Sequence, residues 1–170
     1  MKKDEIIIYT DGSSLGNPGP AGWGVVVCTP QGKVFELGGR EKESTNNRME
    51  MMAAIKALRL IQERKILAKK ILIYTDSGYL LNGITLWIYS WIKNNWRTAS
   101  KELVLNKDLW EELFKLEFDL KRKYEIVWIK VKGHAGIALN ERCDFIATNF
   151  AGGNLVPLFV GDIKDHQKFF

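Results

Sequence analysis

Two nearly identical hexapeptides constrain the fold of this chain more than any other feature. IIIYTD occupies residues 6–11 and ILIYTD occupies residues 71–76, and the two match at five of six positions. Bulky residues on both faces are typical of a central strand that is covered on both sides. A segment with helical periodicity separates the hexapeptides, which predicts parallel strands joined by a crossover. Asp11 and Asp76 would then emerge at the same end of the sheet, where open α/β sheets form their sites.

The pairing of Asp11 with Asp76 favours a functional role. Either residue alone is most simply an aspartate that ends a strand and starts a turn. Together, two carboxylates about 4 Å apart repel each other by roughly 4 kcal/mol at an effective dielectric constant of 20. A purely structural arrangement would avoid this repulsion, whereas a cation site would use it. We therefore expect a cation site at this end of the sheet.

Composition sets the class of protein. The chain has 170 residues, which fits one domain. Its formal net charge of +5 is compatible with a polyanionic partner. Cys28 and Cys143 lack the spacing of zinc ligands and are too few for a disulfide scaffold, so we expect reduced thiols in a cytoplasmic protein. The first hydrophobic run is too short for a signal sequence or a membrane span. We therefore expect no membrane partner. We also expect the protein to be a monomer.

The other elements follow from periodicity. A loop rich in turn formers follows Asp11, and two antiparallel strands are predicted next. Thr45 or Asn46 caps the first long helix, and Glu50 lies one turn into it, where an acidic residue is common without any site. Strands are predicted at 21–29, 33–39 and 125–131, further helices at 108–121 and 140–150, and no motif at 151–170.

Residues 87–101, which we call the tryptophan-rich segment, hold three tryptophans, three cations and no acidic residue. Trp87 and Trp91 are four residues apart and share a helix face. The simplest interpretation is that the tryptophans anchor a protruding segment to the body of the protein. A functional interpretation adds contacts between the cations and phosphate groups. The two interpretations are compatible.

Four motifs, in order and with nearly constant spacing, make the chain resemble bacterial type 1 ribonuclease H. They are TDGSSLGNPGPAGWG, TNNRMEMMAAIKAL, YTDSGYLLNGITLWI and VKGHAGIALNERCD. The resemblance covers roughly residues 5–151. It implies an α/β fold of the three-layer ribonuclease H type, with a five-stranded mixed sheet and helices on both faces. It also implies a catalytic domain at 1–151, followed by a C-terminal extension at 152–170 to which no role is assigned.

The same resemblance implies an endonuclease that hydrolyses the RNA strand of RNA–DNA hybrids. It implies that two divalent ions, Mg²⁺ or Mn²⁺, support in-line attack of water on the scissile phosphate. Cleavage would then leave 5′-phosphate and 3′-hydroxyl ends. By motif position, the metal-binding catalytic carboxylates are Asp11, Glu50, Asp76 and Asp144. His134 matches a mobile-loop histidine that assists proton transfer or product release, although without the resemblance it would be an exposed loop residue.

Substrate contacts are implied in three groups. The family's minor-groove contacts are matched by Asn17, Asn46 and Asn47. Its phosphate pocket beside the DNA strand is matched by Thr45 and Asn106. Its DNA-strand channel and basic protrusion are matched by Trp87, Trp91, Lys93, Arg97, Thr98 and Lys101.

The chain departs from the family pattern at a few positions. Glu43 stands where the phosphate pocket commonly has arginine, with Lys42 as a neighbouring cation, and Gly78 replaces a larger side chain. These departures concern affinity for the hybrid and leave the carboxylates in place. Two alternatives remain open. The first is a non-catalytic module that binds hybrids, which the four carboxylates disfavour. The second is a DNA integrase or resolvase on the same fold, which the asparagines and the tryptophan-rich segment disfavour.

Overall fold

The computed structural model describes residues 4–133 and 136–169, and within these ranges six strands form one sheet. The strands are β1 (Glu5–Ser14), β2 (Gly19–Cys28), β3 (Lys33–Ser44), β4 (Lys70–Thr75), β5 (Glu125–Lys130) and β6 (Val160–Asp162). The helices are α1 (Asn46–Arg64), α2 (Gly78–Asn82), α3 (Ile88–Lys93), α4 (Lys107–Leu120), α5 (Ala138–Ala151) and α6 (Ile163–His166). A π-helical turn (Gly83–Trp87) joins α2 to α3, and a 3₁₀ turn (Gln167–Phe169) follows α6.

The two hexapeptides are neighbouring parallel strands, as predicted. The sheet order is β5-β4-β1-β2-β3-β6, and the register aligns Ile6 with Ile71 and Tyr9 with Tyr74. The two tyrosine rings stack with their centroids 4.7 Å apart. Strands β1, β4 and β5 run parallel, while the pairs β1–β2, β2–β3 and β3–β6 are antiparallel. The aspartates that end the hexapeptides therefore share one edge of the sheet.

Helices cover both faces of the sheet, which confirms the three-layer arrangement. Ile6 and Ile8 of β1 pack into the core beneath α1 and α4. Ile7 and Tyr9 face the other way, against the cluster that holds Cys143 of α5. This alternation is the period of two that a strand imposes on its side chains. Among the described residues, no helix is both long enough and apolar enough to span a membrane.

The sheet has six strands, so the expectation of five was wrong. The added strand, β6, comes from the C-terminal extension and pairs with β3 from Lys33↔Asp162 to Phe35↔Val160. It is only three residues long and contains Gly161 and Asp162, which are poor strand formers. Its pairing depends on the exposed edge of β3, and local periodicity gave no sign of it.

Two glycines of β2 face helix α5 and leave no room for a side chain between the helix and the sheet. A Cβ atom added at Gly24 would lie 2.3 Å from the carbonyl oxygen of Cys143, and one added at Gly22 would lie 2.3 Å from that of Ala147. Both contacts are with helix backbone, which cannot turn aside as a flexible side chain would. The two glycines therefore set the distance between α5 and strand β2.

We expect Gly24→Ala to destabilise the fold by about 3 kcal/mol, the upper end of the range for overpacking, because α5 must move as a unit. The measurement is the free energy of urea unfolding. Gly78→Ala is the matched control, since an added Cβ there meets nothing closer than the Lys130 ammonium at 3.7 Å. A Gly24→Ala variant as stable as Gly78→Ala would contradict the close packing of α5.

Candidate active site

Three carboxylates converge at the end of the sheet where the hexapeptides finish. Asp11 lies in β1, Asp76 directly follows β4, and Glu50 lies in the first turns of α1. One oxygen from each lies within 4.8 Å of those of the other two. Gly12 permits this approach, because a Cβ added there would lie 2.4 Å from the amide nitrogen of Glu50. The start of α1 is thus held against the end of β1.

Asp11 and Glu50 are buried, and the three carboxylates repel one another. Burial raises the pKa of Asp11 to about 8, and the charges of Asp76 and Asp144 add to the rise. Burial, followed by the charges of Asp11 and Asp76, also raises the pKa of Glu50 well above its ordinary value. The Gly12 amide donates to Asp11 Oδ1 at 2.9 Å and offsets part of this cost. A cation between the three would remove the repulsion.

The donor set fits a hard divalent cation. Mg²⁺ and similar ions are bound by carboxylate oxygens, often only one or two of them together with water and substrate phosphate. Glu50 Oε2 is buried and has no hydrogen-bond partner among the described residues. A buried carboxylate oxygen without a donor is costly unless a cation or water satisfies it. Asp11, Glu50 and Asp76 could therefore hold a metal ion.

Asp144 lies in the wall of the same cleft, outside the tight group of three oxygens. The cleft has a volume of about 390 Å³ and is lined by all four carboxylates. Asp144 is close enough to Asp11 to help raise the pKa of Asp11, and its side chain accepts a hydrogen bond from Thr148 Oγ1 at 3.3 Å. The structure therefore brings together all four predicted carboxylates. His134 lies outside the described residues.

The predicted asparagines border this cleft. Asn46 and Asn47 line it, and Asn17 reaches the start of α1, where its Oδ1 accepts a hydrogen bond from the Asn46 amide at 3.2 Å. Thr45 rather than Asn46 caps α1, accepting from the Arg48 amide at 3.3 Å. The side chains of the three asparagines are exposed, so they remain accessible to a bound molecule.

Asn106 is held in place by a polar network that the sequence did not indicate. Its Oδ1 accepts from Arg48 Nη1 at 3.2 Å, and its Nδ2 donates to the Tyr79 hydroxyl at 3.1 Å. Arg48 also pairs with Asp108 at 2.7 Å. Arg48 therefore contacts both predicted phosphate-pocket residues, Asn106 through its guanidinium group and Thr45 through its backbone amide. The only signal for Arg48 was its position inside the TNNRME motif.

The tryptophan-rich segment is anchored as the simplest interpretation predicted. The rings of Trp87 and Trp91 are 5.9 Å apart, and Trp91 lies 5.5 Å from Trp110 of α4. Trp87 is nevertheless 40% exposed. The cations Lys93, Arg97 and Lys101 are exposed, and Thr98 is half-buried. The segment thus combines a packed base with an accessible, positively charged surface.

Comparisons with known proteins agree with this geometry. The family model described as RNase H matches residues 3–151. Ribonuclease H of Thermosynechococcus vestitus is 48% identical over 151 residues, covering 89% of this chain and 91% of the relative. Ribonuclease H of Treponema denticola is 46% identical over 154 residues, covering 84% and 94%.

Two solved structures are also similar. The crystal structure of LC9-RNase H1, described as a type 1 RNase H with the type 2 active-site motif, has a TM-score of 0.77 at 29% identity and covers 98% of this chain and 82% of that one. LC11-RNase H1, solved in complex with an RNA/DNA hybrid, has a TM-score of 0.60 at 27% identity, with coverage of 85% and 94%. The similarity extends over both the sheet and the helices that cover it.

Proposed function

The chain belongs to the ribonuclease H family, and from this premise we propose that it hydrolyses the RNA strand of RNA–DNA hybrids in the cleft formed by its four carboxylates. The observation that carries the proposal is the convergence of Asp11, Glu50 and Asp76 within 4.8 Å. The hybrid complex of LC11-RNase H1 supports the choice of substrate. We assign catalysis to residues 1–151.

The family depends on divalent metal ions, and the acidic cluster of this chain matches that requirement. We propose that Mg²⁺ is the ion, with Mn²⁺ able to replace it, and that Asp11, Glu50, Asp76 and Asp144 hold it. When bound, two such ions supply the charge that activates water and stabilises the leaving oxygen of an in-line displacement. The products would be 5′-phosphate and 3′-hydroxyl ends.

The chain's own residues supply positioning. Without a cation, the clustered carboxylates would repel the phosphate backbone, so cleavage should depend strictly on added metal. Asn17, Asn46 and Asn47 border the cleft and would contact the minor groove. Thr45 and Asn106, connected through Arg48, would receive a phosphate of the DNA strand. We propose that His134 assists proton transfer or product release. His134→Ala should therefore lower kcat.

A labelled RNA–DNA hybrid, a DNA duplex and an RNA duplex, each incubated with and without Mg²⁺, test the proposed function. We expect cleavage of the RNA strand of the hybrid alone, and only with metal. Binding without cleavage would indicate a non-catalytic module. Cleavage of the DNA duplex would indicate an enzyme of the integrase or resolvase type.

The cations of the tryptophan-rich segment should contribute to binding of the hybrid. Replacing Lys93, Arg97 and Lys101 with alanine should weaken binding and flatten the slope of log affinity against log salt, by somewhat under 1 for each lost phosphate contact. The cleavage step at saturating substrate should change little. The slope is measured by titrating binding of the hybrid with salt. Ca²⁺ replaces Mg²⁺ in this experiment to prevent cleavage.

A charge-matched control separates local contacts from overall charge. Lys121, Arg122 and Lys123 are exposed and follow α4, next to the start of β5. The carboxylates lie at the other end of the parallel strands. Replacing these three removes the same charge and should leave the slope nearly unchanged. Equal slopes for the two triple variants would show that the cations of the tryptophan-rich segment do not contact the backbone.

We further propose that the protein acts as a monomer in the cytoplasm. The support for the cytoplasm, a reducing compartment, is that Cys28 and Cys143 are both buried free thiols. Burial raises the pKa of Cys28 to about 11 and that of Cys143 well above its ordinary value, which suppresses their reactivity. Light scattering coupled to size-exclusion chromatography would measure the mass in solution.

A further inference from the structure

A buried carboxylate on β3 gathers donors from two distant parts of the chain. The Glu36 side chain is fully buried and accepts two hydrogen bonds from Arg142 of α5, from Nε at 2.7 Å and from Nη2 at 2.8 Å. It also accepts from the Phe159 amide at 2.9 Å and contacts His166 Nε2 at 2.7 Å. Burial opposes ionisation, but these donors outweigh it and hold the pKa of Glu36 below its ordinary value. Because an ionised carboxylate only accepts, His166 Nε2 must be the donor.

The C-terminal extension closes this cluster. Phe159 and His166 both lie in the extension, beyond the residues that match the family model. The extension also binds Arg142 directly, through the carbonyl oxygen of Pro157 at 3.2 Å. His166 is 1% exposed and packs against the Phe159 ring, with centroids 5.1 Å apart. The extension is therefore a docked part of the fold that completes the surroundings of Arg142.

Arg142 lies two residues before Asp144 on the same helix. Residues two apart are separated by about 200° around a helix axis, so Arg142 can anchor one side while Asp144 faces the cleft. Helix α5 begins after Ile137, which makes no side-chain capping hydrogen bond. Its first turns therefore lack a local cap and depend on tertiary contacts, among which the Arg142–Glu36 pair is charged, bidentate and buried.

We propose that Glu36 and His166 are positioning residues for Asp144: through Arg142 they fix the rotation of α5, so that the C-terminal extension sets the metal affinity of the active site. This inference rests on the proposed function in so far as Asp144 is a metal ligand. Groups that orient metal ligands typically change metal affinity by 10–100-fold when removed. Glu36 and His166 act one step further away, so we expect changes at or below the lower end of this range.

Metal binding provides the test, measured by titrating the full-length protein with Mn²⁺ and detecting free ion by electron paramagnetic resonance. The variants are Glu36→Gln, His166→Ala and His166→Gln. We expect His166→Ala to weaken Mn²⁺ binding about threefold and Glu36→Gln about tenfold. His166→Gln keeps a donor at a similar reach and should recover most of the affinity. The metal concentration for half-maximal cleavage should shift by the same factors.

A stability-matched control excludes a general effect of destabilisation. Leu116→Ala creates a cavity in α4, away from the cluster, and should lower the melting temperature without changing Mn²⁺ affinity. All titrations are run well below the melting temperature of every variant. If Glu36→Gln and both His166 variants lower the melting temperature but bind Mn²⁺ like the unmodified protein, the cluster is only structural and the inference is wrong.

The same data distinguish failure of this inference from failure of the proposed function. Mn²⁺ binding is measured without substrate, so it does not depend on cleavage. An unmodified protein that binds Mn²⁺ but cuts no hybrid would refute the proposed function and leave the positioning test intact. A protein that cuts hybrids with the same metal dependence in all variants would refute only the positioning role.

Discussion

Asp11→Asn should abolish metal-dependent cleavage and at the same time stabilise the metal-free protein. The loss of activity should be at least about a thousandfold, as for the removal of other central catalytic groups. The gain in stability follows from geometry, since Asp11 is buried beside Asp76 and Asp144 and its pKa is raised to about 8. A neutral amide of the same shape removes that repulsion. Asp76→Asn should likewise abolish cleavage without loss of stability.

The gain in stability should depend on pH in a defined direction. The pKa of Asp11 is about 8 in the folded protein and 3.8 as the ordinary value. Below about pH 4 the Asp11 carboxyl is protonated in both the folded and the unfolded state and does not lower the free energy of unfolding. Above that pH the unfolded chain ionises first, so the folded state loses relative stability until the pH passes about 8. The advantage of Asp11→Asn should therefore be small in acid and largest in mild alkali.

Thermal melts in EDTA at about pH 4 and about pH 8 measure this difference. One unit of pKa corresponds to about 1.4 kcal/mol, and we expect at least this much at the higher pH, or roughly 3–6 °C in Tm. Asp108→Asn is the control of opposite sign, because its hydrogen bond from Arg48 lowers the pKa of Asp108 and the variant should gain no stability. A clear loss of stability in both Asp11→Asn and Asp76→Asn would show that these residues are structural.

Discrimination between RNA and DNA should require several consecutive ribonucleotides around the scissile phosphate. Chemistry at phosphorus does not need a ribose, so the chain must read the 2′-hydroxyl, which both donates and accepts hydrogen bonds. The side-chain amides of Asn17, Asn46 and Asn47 offer both functions and are exposed beside the carboxylates. The side-chain oxygen of Asn17 accepts a hydrogen bond from the Asn46 amide, and its two N–H donors have no partner among the described residues, so they are available to a ligand.

The measurement is kcat/KM on hybrids whose RNA strand carries one 2′-deoxy substitution at successive positions. Each lost contact should cost on the order of 1 kcal/mol, or about fivefold, at two or more adjacent positions. In Asn47→Ala the penalty at one of these positions should disappear, because the contact is already absent. Equal rates at every position, or efficient cutting of an all-DNA duplex, would refute ribose reading by these asparagines.

The parts of the fold and site that could be predicted are those encoded by local pattern. The hexapeptides predicted neighbouring parallel strands because bulky residues on both faces leave few other placements. Helical periodicity predicted the helix at 108–121, and its four regularly spaced leucines are all buried in α4: Leu109, Leu113, Leu116 and Leu120. The placement of Asp11 and Asp76 at one end of the sheet could also be predicted, because each aspartate ends one of these hexapeptides. The grouping of Glu50 and Asp144 with them came from the resemblance, because spacing alone does not join two strands and two helices.

The contacts that assemble the Glu36 cluster could not be predicted. His166 had no recognisable context in the sequence, yet it is buried against Glu36, 130 residues away. Arg142 and Phe159 reach the same carboxylate from 106 and 123 residues away. Periodicity reports only neighbours within a few turns or one strand, so a cluster assembled from three such segments leaves no local signal. The short strand β6 was missed for the same reason.

The pairing of β6 with β3 also bears on how the protein avoids aggregation. Unpaired strand edges are templates for association between chains, and natural proteins often end a sheet with a short strand or with charge. β3 is twelve residues long and includes the buried Val34, whereas β6 has three residues and ends in the Lys33–Asp162 ion pair at 2.9 Å. Removing the extension would unpair the edge of β3 at Lys33–Phe35 and expose the apolar surface around Val34 that Phe159 and Ile163 cover. Protein shortened to 1–151 should therefore self-associate at concentrations where the full chain stays in solution.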